Sequence, residues 1–166
     1  HTHIVADRIV IATGSRPVVF PQWQVLGDKL VVNDDVFNWD TLPESVAVFG
    51  PGVIGLELGQ ALSRLGVRVE IFGLGGLIGG ISDPVVREEA IAVLGEELML
   101  HLDAKTEVTL NADGKVQVNW TQDGTSGIFV ADYMLAATGR RPNVDNLGLE
   151  NINIQLDARG VPIADP

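Results

Sequence analysis

The chain has no cysteine, and that absence removes several chemistries at once. These 166 residues can carry no disulfide, no thiolate metal site and no thiol chemistry of their own. Histidine is scarce too. There are three, none in an HExxH-type spacing, so no metal site is expected. His1 and His3 stand at the terminus and read as exposed residues rather than ligands. Cations are few: 11 Lys and Arg stand against 22 Asp and Glu, a formal net charge of −11. Nucleic-acid binding rests on Lys and Arg neutralising phosphates, so no nucleic-acid partner is expected. A dinucleotide remains open, because backbone N–H groups can hold one. No apolar run reaches the length of a membrane span. The N-terminus lacks the basic region and apolar core of a signal peptide. No membrane partner is expected, and a soluble, cytoplasmic protein is the default.

What is present suffices for a folded core. The hydrophobic fraction is 46% against 20% charged, which suits one domain with attached segments rather than a disordered chain. Residues 50–59 read Gly-Pro-Gly-Val-Ile-Gly-Leu-Glu-Leu-Gly. The run follows an apolar stretch, Val46-Ala47-Val48-Phe49, and opens a helical period. Ile54, Leu58, Ala61 and Leu65 fall on one predicted face. A GxGxxG between a strand and a helix is a much stronger signal than the motif alone. Gly50 permits the tight turn, Gly52 lets the backbone approach a pyrophosphate, and Gly55 lets helix and strand pack closely. The anion would sit on N–H groups at the helix start, around Val53 and Ile54. Pro51 has no N–H to give.

The rest of the chain divides by period and punctuation. Residues 4–12 predict a strand ending in the turn cluster Thr13-Gly14-Ser15-Arg16-Pro17. Residues 17–45, with Pro17, Pro21 and Pro43, read as a loop-rich connector. Gly66 is placed to end the first helix, and Val67 to Phe72 predict the second strand. Five glycines in residues 73–80 predict a mobile or closely packed loop. Asp83-Pro84 is an N-cap with Pro at the first helical position. The helix it opens extends to about Leu98, with Val86, Ala90, Ile91, Leu94 and Leu98 on one stripe. From 99 to 137 the period becomes two, with hairpin signals at Asp113-Gly114 and Asp123-Gly124. A last apolar strand, Tyr133 to Ala137, follows, and a short strand is predicted near Ile152-Asn153-Ile154. The fold class is therefore α/β: a Rossmann-like parallel sheet with helices and a three-stranded antiparallel β appendage.

Ala12-Thr13-Gly14-Ser15-Arg16-Pro17 is echoed by Ala137-Thr138-Gly139-Arg140-Arg141-Pro142. With Gly50 to Gly59 between the copies, and Asn143 and Asn146 to Glu150 after them, the chain resembles the flavoprotein pyridine nucleotide-disulfide oxidoreductases of dihydrolipoamide dehydrogenase type. The resemblance covers essentially the whole chain. It implies an NAD(P)-binding domain at 43–140. Residues 1–42 would be a strand and loop from an FAD domain, and 141–166 a return connector toward it. It further implies NAD or NADP, without choosing between them, as the nicotinamide cofactor and FAD in the full-length protein. FAD and dimerisation domains of the same chain, and a homodimer, follow as expected partners. Glu57 would lie near the nicotinamide, Val108 on the adenine side and Gly139 at the nicotinamide end. Thr13, Gly14 and Ser15 would face the flavin. No catalytic residue falls inside this segment. The flavin fingerprint, the redox Cys pair and the catalytic His-Glu pair are not in it, so it is expected to be inactive by itself. A soluble transhydrogenase, a mercuric or glutathione reductase, an NADH oxidase, or a redox-inactive nucleotide-sensing or interaction module of the same fold are the alternatives.

The sequence leaves the choice of cofactor weakly marked. A dinucleotide site places an acid at the end of the second strand for the ribose hydroxyls, and an NADP site needs cations there. Glu70 stands twenty residues after Gly50, but Ile71 and Phe72 continue the strand. The resemblance puts the acid at Gly73, which has no side chain. No Arg or Lys lies between 69 and 86. With no cation near enough to pair with a 2′-phosphate, NAD is the expectation.

Overall fold

The computed structural model describes residues 2–158 and 160–163. Its strands, in chain order, are β1 (Ser15–Pro17), β2 (Leu30–Val31), β3 (Ser45–Phe49), β4 (Arg68–Phe72) and β5 (Met99–His101). They continue with β6 (Lys105–Leu110), β7 (Val116–Gln122), β8 (Thr125–Ala131), β9 (Tyr133–Ala136) and β10 (Arg140–Pro142). Helices α1 (Val53–Arg64) and α2 (Pro84–Gly95) follow β3 and β4. The chain forms two compact units: Pro17–Gly139, and a second made of His1–Arg16 with Arg140–Pro166.

The larger unit has the expected α/β architecture. Its five-stranded parallel sheet has the order β2-β9-β3-β4-β5, and β6-β7-β8 form a separate antiparallel sheet. Strand β3 is buried at every position, as both faces of a covered parallel sheet require. Its alternate residues divide between two cores. Ala47 and Phe49 join Phe72, Met134 and the inner residues Val116, Val118 and Phe129 of the antiparallel sheet. Val46 and Val48 join Ile71, Leu135 and Leu62 of α1 on the other face. The turn chemistry predicted for the appendage is present. Asn111 Oδ1 accepts the N–H groups of Asp113 and Lys115, which closes the β6–β7 hairpin.

Helix α1 ends as predicted at Gly66, in a Schellman arrangement. Gly66 N–H donates to Ser63 C=O at 2.9 Å and Val67 N–H to Leu62 C=O at 3.0 Å. Its buried face is not the one predicted. Gly55, Gly59 and Leu62 are buried, whereas Leu65 is 64% exposed. A Cβ on Gly59 would come within 2.9 Å of Ile71 Cδ1, so glycine sets the closeness of α1 to β4. Hydrophobic periodicity cannot see a contact face made of missing side chains.

Other local expectations also need correction. No ladder forms over residues 4–12, and Ile4, Val5, Ile9 and Val10 stand exposed. An apolar run becomes a strand only where another backbone offers it a ladder, and none among the described residues does. Ile152–Ile154 is not a strand either; the nearby pairing is an isolated bridge between Leu156 and Pro162. The 17–45 connector contains β2 and a 3-10 segment, Pro21–Lys29, that buries Trp23 and Leu26. Helix α2 is capped as expected, Asp83 Oδ1 accepting from Val85 N at 2.9 Å and Val86 N at 3.0 Å. It stops at Gly95 and buries none of its residues; Val86 is exposed and Leu98 lies beyond its end.

In the smaller unit the two Ala-Thr-Gly copies are bonded to each other. Strands β1 and β10 form a two-stranded sheet. Asn143 N–H donates to Gly14 C=O at 2.9 Å, and its side-chain amide donates to Thr13 C=O at 3.0 Å. Arg140 donates to the Ser15 hydroxyl at 2.8 Å and to the Ser15 C=O at 2.6 Å. Asp145 pairs with Arg16 and Arg141, and the Arg16 hydrogen bond holds its carboxyl below the usual range. These arginines are therefore engaged within the unit.

Candidate functional site

Strands β3, β4 and β9 finish level with one another, Phe49 being the register partner of both Phe72 and Ala136. The chain leaves them at Gly50, Gly73 and Ala137. In open parallel sheets ligands bind outside these carboxyl ends, where the strand order reverses. Here β3 is the reversal point, with β4 and β5 on one side and β9 on the other.

Gly50 has φ +108° and donates to Phe72 C=O at 2.9 Å. A Cβ there would run into the Ala137 carbonyl oxygen. A Cβ on Gly55 would strike the Gly50 carbonyl oxygen and lie 3.3 Å from Ala137 Cβ. The glycine turn, the first turn of α1 and the second Ala-Thr-Gly copy are thus one stack. Glycine at 50 and 55 is a packing requirement. Gly52 differs: nothing lies within 4 Å of where its Cβ would be. It is the N-cap of α1, no side chain caps the helix, and the first helical bond runs from Leu56 N–H to Gly52 C=O at 3.0 Å. The N–H groups of Val53, Ile54 and Gly55 therefore have no acceptor inside the helix. An open approach beside unpaired N–H groups suits an anion.

Beside this turn lies a cleft of about 720 Å³. Trp23, Phe49 and Phe72 line it, as do Gly50, Pro51 and Gly73. The aromatic rings run in series. Trp23 meets Phe49 edge-on at 5.2 Å, Phe49 stacks on Phe72 at 5.2 Å, and Phe72 stacks on His101 at 4.9 Å. The far wall comes from β6, with Lys105, Thr106, Glu107 and Val108.

The glycine loop after β4 is closely packed. Gly73 N–H donates to His101 C=O at 2.8 Å, Gly76 N–H to Leu102 C=O at 3.1 Å and Gly75 N–H to Asp103 Oδ1 at 2.7 Å. Gly79 N–H bonds Pro51 C=O at 2.7 Å, which ties the loop to the Gly50–Gly52 turn. Ile78 is fully buried. Glu70 is unavailable for a ribose. It lies in mid-strand, partners Ala47 in register, and holds His101 Nε2 at 2.8 Å. The strand ends at Phe72, so Gly73 is the terminal position, without a carboxylate.

Of the residues singled out in the sequence, the cleft brings together Gly50, Pro51, Gly73 and Val108. Gly52, Val53, Ile54 and Gly55 form the adjoining helix start, with Gly55 buried under the turn. Glu57 is on the exposed side of α1. Gly139 has φ +107°, and its C=O accepts Val18 N–H at 3.0 Å. Thr13, Gly14 and Ser15 belong to the smaller unit. The aromatic lining and Lys105 were not foreseen. The sequence gives no cation near the second strand's end, but β6 carries Lys105 into the same wall. The only advance signal was that β6 directly follows β5, the neighbour of β4.

Among the described residues, no group of three or more His, Asp and Glu could hold a metal ion. Nor is any helix long and apolar enough to cross a membrane. The profile of the family described as "Pyridine nucleotide-disulphide oxidoreductase" matches residues 1–166. Bovine (Bos taurus) mitochondrial dihydrolipoyl dehydrogenase is 35% identical over 166 residues, covering 96% of this chain and 33% of the relative. Dihydrolipoyl dehydrogenase of Geobacillus stearothermophilus is 34% identical, covering 92% of this chain and 32% of its own length. The chain thus spans about a third of the length of the curated relatives it matches. Among solved structures, LpdA from Mycobacterium tuberculosis superimposes with a TM-score of 0.70 at 29% identity, over 89% of this chain and 32% of that one. The HOCl-induced flavoprotein disulfide reductase RclA from Escherichia coli shares the fold, with a TM-score of 0.74 at 24% identity, over 92% of this chain and 35% of that one.

Proposed function

Because the chain belongs to the pyridine nucleotide-disulphide oxidoreductase family, we propose that the unit Pro17–Gly139 is the nicotinamide dinucleotide site of a flavin-dependent enzyme of dihydrolipoyl dehydrogenase type. One observation carries the reading. The Gly50–Gly55–Ala137 stack presents an uncapped helix start, with open space at Gly52, at the level carboxyl ends of β3, β4 and β9. That is an open cradle which a side chain at 52 would fill, on a stack that side chains at 50 and 55 would disrupt.

In this reading the N–H groups of Val53, Ile54 and Gly55 hold the pyrophosphate, with the α1 dipole favouring its charge. Phe49, Phe72 and Val108 exclude water along the adenosine half. Glu57 and Gly139 stand toward the nicotinamide half. Thr13, Gly14 and Ser15 are proposed on the flavin side. When bound, the dinucleotide supplies the hydride chemistry of the family, and the protein contributes binding, orientation and dryness. The full-length enzyme would add FAD and dimerisation domains and act as a homodimer.

Calorimetric titration of the protein with NADH and NADPH tests the reading. Saturable binding of at least one is expected, lost when Gly52→Val fills the open approach. No binding of either at millimolar concentration would sink it. A redox-inactive nucleotide-sensing module is the second reading, favoured by the bare Gly73. Flavin reduction by the nucleotide in the full-length protein separates the two.

A further inference from the structure

Residue 73 cannot simply be exchanged for an acid. A Cβ there would lie 2.5 Å from Cγ and 2.8 Å from Cδ of the Pro51 ring, and 3.2 Å from Leu102 C=O. A proline ring is stiff and cannot swing aside as the end of a long side chain can. The residue between the first two glycines of the turn therefore interlocks with the end of β4. The usual ribose carboxylate is excluded by packing.

The charge near this position comes from β6. Ala104 N–H donates to Gly73 C=O at 3.1 Å, so the next residue, Lys105, starts beside the end of β4. Glu107, the cleft's other charged residue, is two positions on, about 6.6 Å further along an extended strand. Asp103 is occupied by the Gly75 N–H. Neither Lys105 nor Glu107 belongs to an ion pair among the described residues. Where a carboxylate would reject a 2′-phosphate, the wall offers a free ammonium.

We infer that Lys105, together with the Pro51–Gly73 interlock, makes the adenosine end a 2′-phosphate subsite, so that the protein accepts NADPH at least as well as NADH. This rests on the dinucleotide reading above. It departs from the NAD expectation of the sequence, which assumed that no cation reached this point.

Titrations of the protein and its Lys105→Gln variant with NADPH, NADH and 2′-phospho-ADP-ribose test it. Wild-type protein is expected to bind NADPH as tightly as NADH or more tightly. K105Q should weaken NADPH and 2′-phospho-ADP-ribose roughly tenfold, the scale of one charge-assisted contact, and leave NADH nearly unchanged. In Pro51→Ala/Gly73→Glu the preference should turn to NADH, whereas Gly73→Glu alone should lower Tm because the interlock is intact. NADH binding more than tenfold tighter than NADPH in the wild type overturns the inference and leaves the dinucleotide reading standing. Equal weakening of both nucleotides by K105Q overturns it as well. Failure of both nucleotides to bind overturns the dinucleotide reading, and this inference with it.

Discussion

Lys115 Nζ lies 2.9 Å from Oδ1 of Asp132, while Oδ2 of the same carboxylate accepts the N–H groups of Glu44 and Ser45 at 2.9 and 3.0 Å. One side chain thus ties the corner between β8 and β9 to the start of β3 and to the β6–β7 hairpin. Partial burial pushes the Asp132 carboxyl up. The Lys115 ammonium and the Ser45 bonds outweigh it, so the group sits below its ordinary value.

The sign of the resulting pH dependence follows from that shift. A carboxyl depressed in the folded state stabilises the fold fully above its unfolded pKa of about 3.9. That contribution is lost as pH falls through the lower folded value. Urea midpoints of wild type and Asp132→Asn should therefore differ most at pH 7 and converge toward pH 2. An equal difference at both ends would show that Asp132 acts by shape alone.

Helix α2 buries none of its residues, so its ends matter more than usual. Asp83→Ala removes the acceptor for two N–H groups and should cost about 1 kcal/mol. Asp83→Asn should recover most of it. Urea unfolding followed by circular dichroism reads both; an Ala variant as stable as wild type would show the cap to be idle.

Trp120 lies across Gly127, its register partner on β8. A Cβ at 127 would fall 2.5 Å from Trp120 Cζ2. Gly127→Ala should destabilise by about 1–3 kcal/mol through overpacking. In the Trp120→Leu background the same change should be nearly neutral. A double-mutant cycle with no coupling would refute the contact.

At Gly50 a side chain meets both a positive φ and the Ala137 carbonyl. Gly50→Ala should cost at least about 2 kcal/mol, the sum of backbone strain and steric conflict, and should abolish nucleotide binding. Retention of stability and binding would mean that the stack yields.

Much of this was legible in the chain. The change from helical to twofold period located the antiparallel sheet, the Asp-Gly pairs marked its turns, and Gly50 to Gly59 announced the strand–turn–helix. The misses share a physical cause: they depend on what lies opposite. Leu30–Val31 and Met99–His101 are too short to signal themselves and are strands because β9 and β4 offer them ladders. Residues 4–12 have the pattern but no ladder. The buried stripe of α1 is built on Gly55 and Gly59, which score as nothing in a hydrophobic period. The start of Lys105 beside Gly73 depends on Ala104 bonding Gly73 across the chain, which no local pattern encodes. Pro51 and Gly73 read as separate oddities in the sequence and become one feature only when packed.

The placement of β9 also bears on how the molecule assembles. The β3–α1–β4 unit and the β6–β7–β8 sheet each join near neighbours in the chain and can organise early. The Asp132 bond to Glu44 spans 88 residues. Of the two pairings of β3, the one with β9 therefore closes the longer loop, and its higher contact order favours a later arrival than that of β4. The same arrival brings in Ala137, whose carbonyl packs on Gly50. The glycine stack is thus completed by a long-range pairing, and a chain caught before that step would hold its parts without the stack.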